Sequence, residues 1–384
     1  MLLGQFFKKL NIDWILFLAI LPILGAGLLT MNSFSGENYF FEKQLIWASI
    51  SVAIFFIFSF FDFRFLKRTG VLVSLFAVGI ALLVLLFAVG SIAGGAQSWF
   101  KFGGFSFQPS DPVKLLVILV LAKYFSKRHI EIRNIRHIVV SGFYAAVPAL
   151  IVFFQPDFGS AVIIFLIWFG MIMVSGVSKK HLFLVLMTGI LAISLLWLFG
   201  FTDKQKQRVV TFLNPLTDVR GAGYNAFQST IAVGSGQIFG KGVGYGTQSR
   251  LEFLPEYETD FIFAAFAEEW GFVGVMLLIL LFGIVIWRIL RTALLGETNF
   301  ETLFGLGLAI LFMSHFIIHI GMNMGLLPVT GLPMPFLSYG GSHLLTEFAG
   351  LGILMGMRHY NRAAHREDIK NEFLGLAKSP DLMP

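Results

Sequence analysis

The chain has 384 residues, of which 57% are hydrophobic and only 13% charged, with 45 phenylalanines and no cysteine. A soluble domain needs roughly a quarter of its residues charged to wet its surface, so a water-soluble globule is excluded and lipid must be the solvent; the missing cysteine also excludes disulfides, zinc–thiolate sites and thiol nucleophiles. The formal charge of +6 is not a nucleic-acid footprint, because the basic residues gather in short stretches between apolar runs, where they orient a membrane protein.

A helix needs about 20 apolar residues to cross a bilayer core of about 30 Å. Lys8 and Lys9 precede the first apolar run, and no small-x-small cleavage site follows it, so it reads as a retained span rather than a signal peptide. Ten runs qualify in chain order: Trp14–Met31, Gln44–Phe61, Val71–Gly90, Pro112–Phe125, Ile138–Phe154, Ser160–Val177, His181–Phe199, Asp260–Trp287, Thr302–Met322 and Leu344–Met357. The fourth and tenth are short and extend into their flanks. The eighth is long and carries Glu268 and Glu269 near its start, so part of it lies in the interface or tilts. With a cytoplasmic N-terminus, the inner segments hold 17 lysines and arginines against 2 in the short outer loops, and every inner segment contributes. One miscounted span would scramble that alternation. The expected architecture is therefore an all-α integral membrane protein of ten transmembrane helices with both termini cytoplasmic. Residues 1–360 form the membrane domain, 201–259 a large extracytoplasmic loop between helices 7 and 8, and 361–384 a loose polar tail.

Four outer segments are more than linkers: Ser91–Asp111, Gln155–Gly159, Phe201–Thr259 and Gly321–Ser342. Beside them stand Lys114, Asp157, Asp260, Glu268 and Glu269, all at outer ends of spans. Ionisable groups at membrane depth are costly and mark function by default, so one cavity open to the outer leaflet is expected. Asp260 opens an aromatic-rich helix after Pro255. It suits a simple helix cap, or a general base whose proton affinity is raised by burial and by Glu256 and Glu258. Lys114, one turn after Asp111, suits an internal salt pair or a phosphate contact. Asp157 reads equally as an N-cap. The glycine-rich stretch Gly234–Gly246 has no GKS or GKT and follows no βαβ strand, so it reads as a tight outer loop rather than a nucleotide cradle. His315 and His319, spaced i, i+4, lack an acidic helical partner and read as packing or interhelical bonding.

Five motifs then read as a set. QPSDPVKLL at Gln108–Leu116, QPDFGS at Gln155–Ser160, GYNAFQSTIAVGSGQIFGKGVG at Gly223–Gly244, LPEYETDFIFA at Leu254–Ala264 with Glu268, Glu269 and Gly271 behind it, and GLLPVTGLPMPFLSYGGS at Gly325–Ser342 resemble the signatures of the SEDS family, and lean to its RodA branch. Asp111 stands where the family has Glu, Ser98 where it has Arg, and His343 where it has Ser. The resemblance implies a peptidoglycan glycosyltransferase that polymerises lipid II with inversion in the bacterial cytoplasmic membrane, beside a class B penicillin-binding protein. It implies Asp260 as general base, Lys114 as first cation for the diphosphate, and Arg208, Lys241 and Arg250 as its helpers. Glu268, Asp157, Gln108, Ser110, Ser338, Tyr339 and Gly340 complete the expected site. A divalent cation, Mg or Mn, would share the diphosphate work, though no dedicated ligand set stands out. Two other classes fit a chain of this kind: a lipid II flippase, which needs polar residues through both leaflets, and a scaffold, which needs neither Asp260 nor Lys114.

Overall fold

The computed structural model describes residues 12–33, 39–93, 96–102, 105–127, 135–214, 221–251, 253–254 and 256–373. Lys8, Lys9, Arg128, Arg133 and Pro255 lie outside them. A helix occupies each apolar run. In the first half these are α1 (Trp14–Asn32), α2 (Tyr39–Ser59), α3 (Thr69–Val89), α4 (Ser110–Ser126), α5 (Ile135–Phe154), α6 (Phe158–Val174) and α7 (Lys179–Leu195), which runs on as a π turn to Gly200. The long segment between α7 and the next span folds into α8 (Asp203–Leu213), α9 (Ala222–Ser235) and the single turn α10 (Thr247–Arg250). The chain then returns as α11 (Ile262–Leu294), α12 (Asn299–Asn323) and α13 (Gly341–Phe373). Seven of these, α1, α2, α3, α5, α7 with its π turn, α11 and α12, are long and apolar enough to cross a bilayer; α4 and α6 are 17 residues each. The protein is an all-α membrane protein, and α13 continues through the boundary expected at residue 361.

One segment, between α3 and α4, is not helical. Strands β1 (Ser91–Ala93), β2 (Ala96–Phe102) and β3 (Phe105–Phe107) form a small antiparallel sheet, with Ile92 opposite Gln97 and Lys101 opposite Ser106. The alternation buries Ser98 and Phe100 and exposes Lys101, a period of two that the apolar context hides in the sequence.

Two polar clusters tie opposite ends of the bundle. At one end Asp13 caps α1, accepting from the Leu16 N–H at 3.2 Å, and also accepts from Arg288 Nε at 2.9 Å and Arg358 Nη1 at 3.4 Å. The start of α1, the last turns of α11 and the middle of the long α13 thus meet in one ion group. At the other end the starts of α4, α6, α11 and α13 meet the end of α12, as described below. Between these clusters the buried positions of α11 are Gly274, Leu278, Phe282, Val285 and Ile286, and those of α13 are Phe348, Leu351, Leu354 and Met355. The middles of α11 and α13 are apolar.

The long helix α11 is broken. Gly271 adopts φ 66° and ψ −167°, a region open essentially to glycine alone. The break frees backbone groups that water cannot reach, and the glycine-rich loop takes them up. Phe272 N–H donates to Gln237 O at 2.8 Å and Val273 N–H to Ile238 O at 3.0 Å, while Lys241 and Gly242 N–H donate to Glu268 and Glu269 carbonyls at 3.0 Å each. Backbones approach so closely that a Cβ on Gly271 would sit 2.1 Å from Gly240 N. The loop is a structural clasp, which explains its glycines without a nucleotide.

Gly271→Ala is expected to destabilise the protein by at least about 2 kcal/mol, from backbone strain together with the steric clash. The thermal unfolding midpoint in detergent reads this, and an unchanged midpoint would contradict the account of the break.

Candidate active site

The outer cluster is built on the turn that precedes α11. The carbonyl of Glu256, a residue at φ 49°, accepts from the N–H groups of Thr259, Asp260 and Phe261 at 3.2, 3.0 and 3.2 Å. Asn323, at the end of α12, holds the turn from one side. Its amide donates to Asp260 O at 3.0 Å and accepts from Ala264 N–H at 3.2 Å, and Ser229 of α9 donates to its carbonyl at 2.9 Å. The Met334–Tyr339 segment holds it from the other side, with Ser338 Oγ donating to Thr259 O at 2.9 Å and Tyr339 N–H to Glu258 O at 2.8 Å. The backbone of the turn is therefore fixed without help from the Asp260 carboxylate.

That carboxylate is half-buried and accepts no hydrogen bond among the described residues. The N-cap of α11 is Phe261, which offers no side-chain cap, so Asp260 is not spent on capping the helix. Its Oδ2 faces Gly331, where a Cβ would lie 3.5 Å away. Burial pushes the Asp260 carboxyl up to about 7, Glu256 adds to the rise, Arg208 opposes it and Glu258 reinforces it. Glu258 is pushed up too, chiefly by burial.

Arg208, on α8, lines two adjoining grooves. The larger, of about 640 Å³ counting its open part, runs between α8, α9 and the chain after α12, past Phe212, Phe227, Thr230, Pro328 and Val329. The smaller, of about 320 Å³, passes Phe158, Phe201, Gln205 and Thr330. Both are walled by apolar side chains with an arginine at their junction.

Two of the other expected cations, Lys114 and Lys241, have carboxylate partners. Lys114 is buried and pairs with Asp111 at 3.1 Å; Asp111 also accepts from Ser342 at 2.9 Å and lies 3.5 Å from His343, which in turn lies 3.0 Å from Glu347. The departures Asp111 and His343 thus touch each other. Lys241 donates to Glu268 at 2.6 Å. Glu268 is fully buried and also accepts from the Thr247 N–H and hydroxyl at 3.0 Å each and from Gln248 N–H at 3.1 Å, fixing α10 and the glycine-rich loop. Glu269 accepts from Ser33 and from Gly244 N–H at 3.0 Å. Arg250 is exposed on α10.

Asp157 caps α6, accepting from Ser160 N–H at 3.0 Å, and takes a second bond from Gln108 at 2.9 Å. The residue after Phe158, Gly159, backs onto Thr330 O. The Ser110 hydroxyl is buried without a partner. Gly340 N–H donates to Gln44 at 3.2 Å, and Tyr339 stands edge-on to Phe40. His315 and His319 donate through Nδ1 to the carbonyls of Pro333 and Leu332 at 3.2 and 2.7 Å, holding the same segment down. Sequence reasoning missed Asn323, which lies one residue past the expected end of the ninth span, and Glu347, inside the tenth. No three His, Cys, Asp or Glu side chains gather as a metal site among the described residues.

A carboxyl at about 7 in the folded state, against 3.8 ordinarily, keeps its proton over a window in which the unfolded chain has lost it. The folded state therefore loses stability as pH rises from about 4 to about 7, and this contribution is flat above. Asp260→Asn removes that slope. Its melting midpoint relative to the parent is expected to be higher at pH 8 than at pH 4.5, and an equal difference at both pH values would contradict the raised carboxyl.

The sequence model of the FtsW/RodA/SpoVE cell cycle protein family matches residues 9–363. The peptidoglycan glycosyltransferase MrdB of Escherichia coli (strain K12) is 35% identical over 358 residues, 93% of this chain and 96% of the relative. A chain from a peptidoglycan synthase complex that coordinates polymerization and crosslinking has the same fold, with a TM-score of 0.78 at 28% identity, covering 91% of this chain and 98% of that one. The rod shape determining protein RodA of Thermus thermophilus gives 0.69 at 27% identity, with 91% and 97% covered. The likeness first visible in five motifs extends over nearly the whole length, and the chain belongs to the FtsW/RodA/SpoVE, or SEDS, family.

Proposed function

We propose that this chain is a peptidoglycan glycosyltransferase of the bacterial cytoplasmic membrane, which joins lipid II disaccharides into β-1,4 glycan strands during cell elongation. The observation that carries the reading is the Asp260 carboxylate: half-buried, without a hydrogen-bond partner among the described residues, raised to about 7, and opposed in that rise by the charge of Arg208. A general base works best with a pKa near the operating pH and a free face toward its substrate.

In the proposed reaction Asp260 takes the proton of the acceptor sugar 4-hydroxyl as its oxygen attacks the donor's anomeric carbon. The carbon–oxygen bond to the diphosphate breaks in the same displacement, which inverts the centre without a covalent carboxylate. Arg208, at the junction of the two grooves, neutralises the departing diphosphate. Lys114 and Lys241, each already opposite a carboxylate, stand behind it as shaping residues. The apolar groove walls suit polyprenyl tails that remain in lipid. Gln108 and Asp157 orient the start of α6, and Ser338 and the Tyr339 N–H hold the catalytic turn, while Gly340 N–H ties the same segment to Gln44.

Ten spans with both termini cytoplasmic suit the two polar clusters, because the helix ends gathered in each are those that an alternating chain brings to one side. A class B penicillin-binding protein is the proposed partner. A flippase is disfavoured by the apolar middle of α11 and α13, which offers a polar headgroup no path through both leaflets.

Purified Asp260→Ala is expected to insert and fold, yet to polymerise labelled lipid II at least about 100-fold more slowly, the least that a lost general base costs. Polymer at the parental rate would remove Asp260 from that role. Arg208→Ala is expected to lower the rate more than Lys241→Ala does, per folded protein, and the reverse order would move the diphosphate away from Arg208.

A further inference from the structure

The glycine-rich loop between α9 and α10 has an unusual outer surface. Ile238, Phe239, Val243 and Tyr245 are 60%, 81%, 43% and 69% exposed. Polar groups of the loop turn the other way. Its one charged side chain, Lys241, donates to buried Glu268 at 2.6 Å. Backbone groups of residues 237, 238, 241 and 242 bond across to α11, and Gly244 N–H donates to the Glu269 carboxylate at 3.0 Å. Gln237 is an exposed amide, and Lys241, though its ammonium is paired, is also exposed along its side chain, which suits a lysine reaching up to the interface. This is the reverse of what a solvent-facing loop presents. It is the arrangement that non-helical backbone requires at membrane depth, with its backbone polar groups bonded to protein and large apolar side chains left outside.

The apolar surface adjoins an apolar helix face. The bonds from Phe272 and Val273 place Ile238 and Phe239 beside those two residues, which are 60% and 51% exposed. Below them Met276, Leu277 and Leu280 are 47%, 54% and 60% exposed on the same transmembrane helix.

Depth can be read along α11. Its inner boundary is marked by exposed Trp287, with the guanidinium groups of Arg288 and Arg291 5.4 and 5.8 Å from its ring, an interface arrangement. From Arg288 back to Phe272 the helix rises about 24 Å, and from Arg291 about 28 Å, at 1.5 Å per residue. A hydrocarbon core is about 30 Å thick, and any tilt brings Phe272 deeper still. The break at Gly271 and the loop docked on it therefore fall inside the outer edge of the hydrocarbon.

We infer that residues 236–245 form a re-entrant membrane element whose Ile238 and Phe239 lie among the acyl chains of the outer leaflet, with the Tyr245 phenol at the headgroup level. The occupant of this surface is the bilayer itself. The inference rests on the membrane fold and stands apart from the proposed chemistry.

The chain has no cysteine, so single-cysteine variants label cleanly. Phe239→Cys carrying an environment-sensitive fluorophore, reconstituted alone in phosphatidylcholine vesicles, is to be compared with Leu280→Cys on the lipid face of α11 and Lys101→Cys on the outer sheet. Bromines on the lipid acyl chains are expected to quench the label at 239 more than aqueous iodide does, as at 280 and opposite to 101. Stronger quenching by iodide would overturn the inference, including the case in which adding a second membrane protein removes it, since the surface would then be a protein-docking site. Should Phe239→Cys fail to insert, Ile238→Cys gives the same reading with the same two outcomes.

Discussion

A backbone that leaves the helix near a bilayer must find a partner for each polar group it frees, because lipid offers none. The chain does this twice on α11, once in the turn at residues 256–261 and once at Gly271. Asn323, Ser338 and the Tyr339 N–H bind the turn, and the glycine-rich loop binds the break. Most of the outer architecture follows from these two repairs. The end of α12, the chain between α12 and α13, and the α9–α10 connection all converge there because each brings hydrogen-bonding groups that α11 cannot supply to itself.

The same repairs decide which acid is free. Glu268 and Asp260 lie eight residues apart at the same end of one helix, yet their surroundings are opposite. Glu268 is saturated by Lys241, Thr247 and Gln248 and serves as the anchor of a loop. Asp260 has its backbone fixed and its carboxylate left over, with Glu256 as a like-charged neighbour and Arg208 as a distant counterweight. A carboxylate whose oxygens are taken up by fixed donors serves structure, whereas the partly buried, unpaired one at position 260 is raised toward neutrality and becomes reactive. Two identical functional groups are thereby divided between structure and chemistry. The cations divide in parallel: Lys114 and Lys241 complete ion pairs, and Arg208 is left at the groove.

The sequence shows the helices well, because lipid makes apolar length a strong signal. Asp260, Lys114, Asp157 and Glu268 also stand out, since a charge in an apolar run is conspicuous. What pairs with what is hidden. Nothing local tells that Lys241 meets Glu268, 27 positions away, or that Asp111 meets Ser342 and His343. Asn323 escapes because an amide at the end of an apolar run looks like ordinary span punctuation, although it is the residue that fixes the Asp260 turn. Arg288 and Arg358 read as orienting charges, yet both turn inward to Asp13. The small sheet is masked because its alternation is carried largely by aromatic and apolar residues.

The central claim is that position 260 carries a base whose ionisation falls near neutral pH. The most direct test is the initial rate of lipid II polymerisation by purified protein across pH 5 to 9, at saturating substrate. A rate that climbs with a single ionisation near 7, and loses that rise in Asp260→Asn, is the predicted result. A rate that is flat or falls across the same range, or that keeps its rise without the carboxylate, contradicts it.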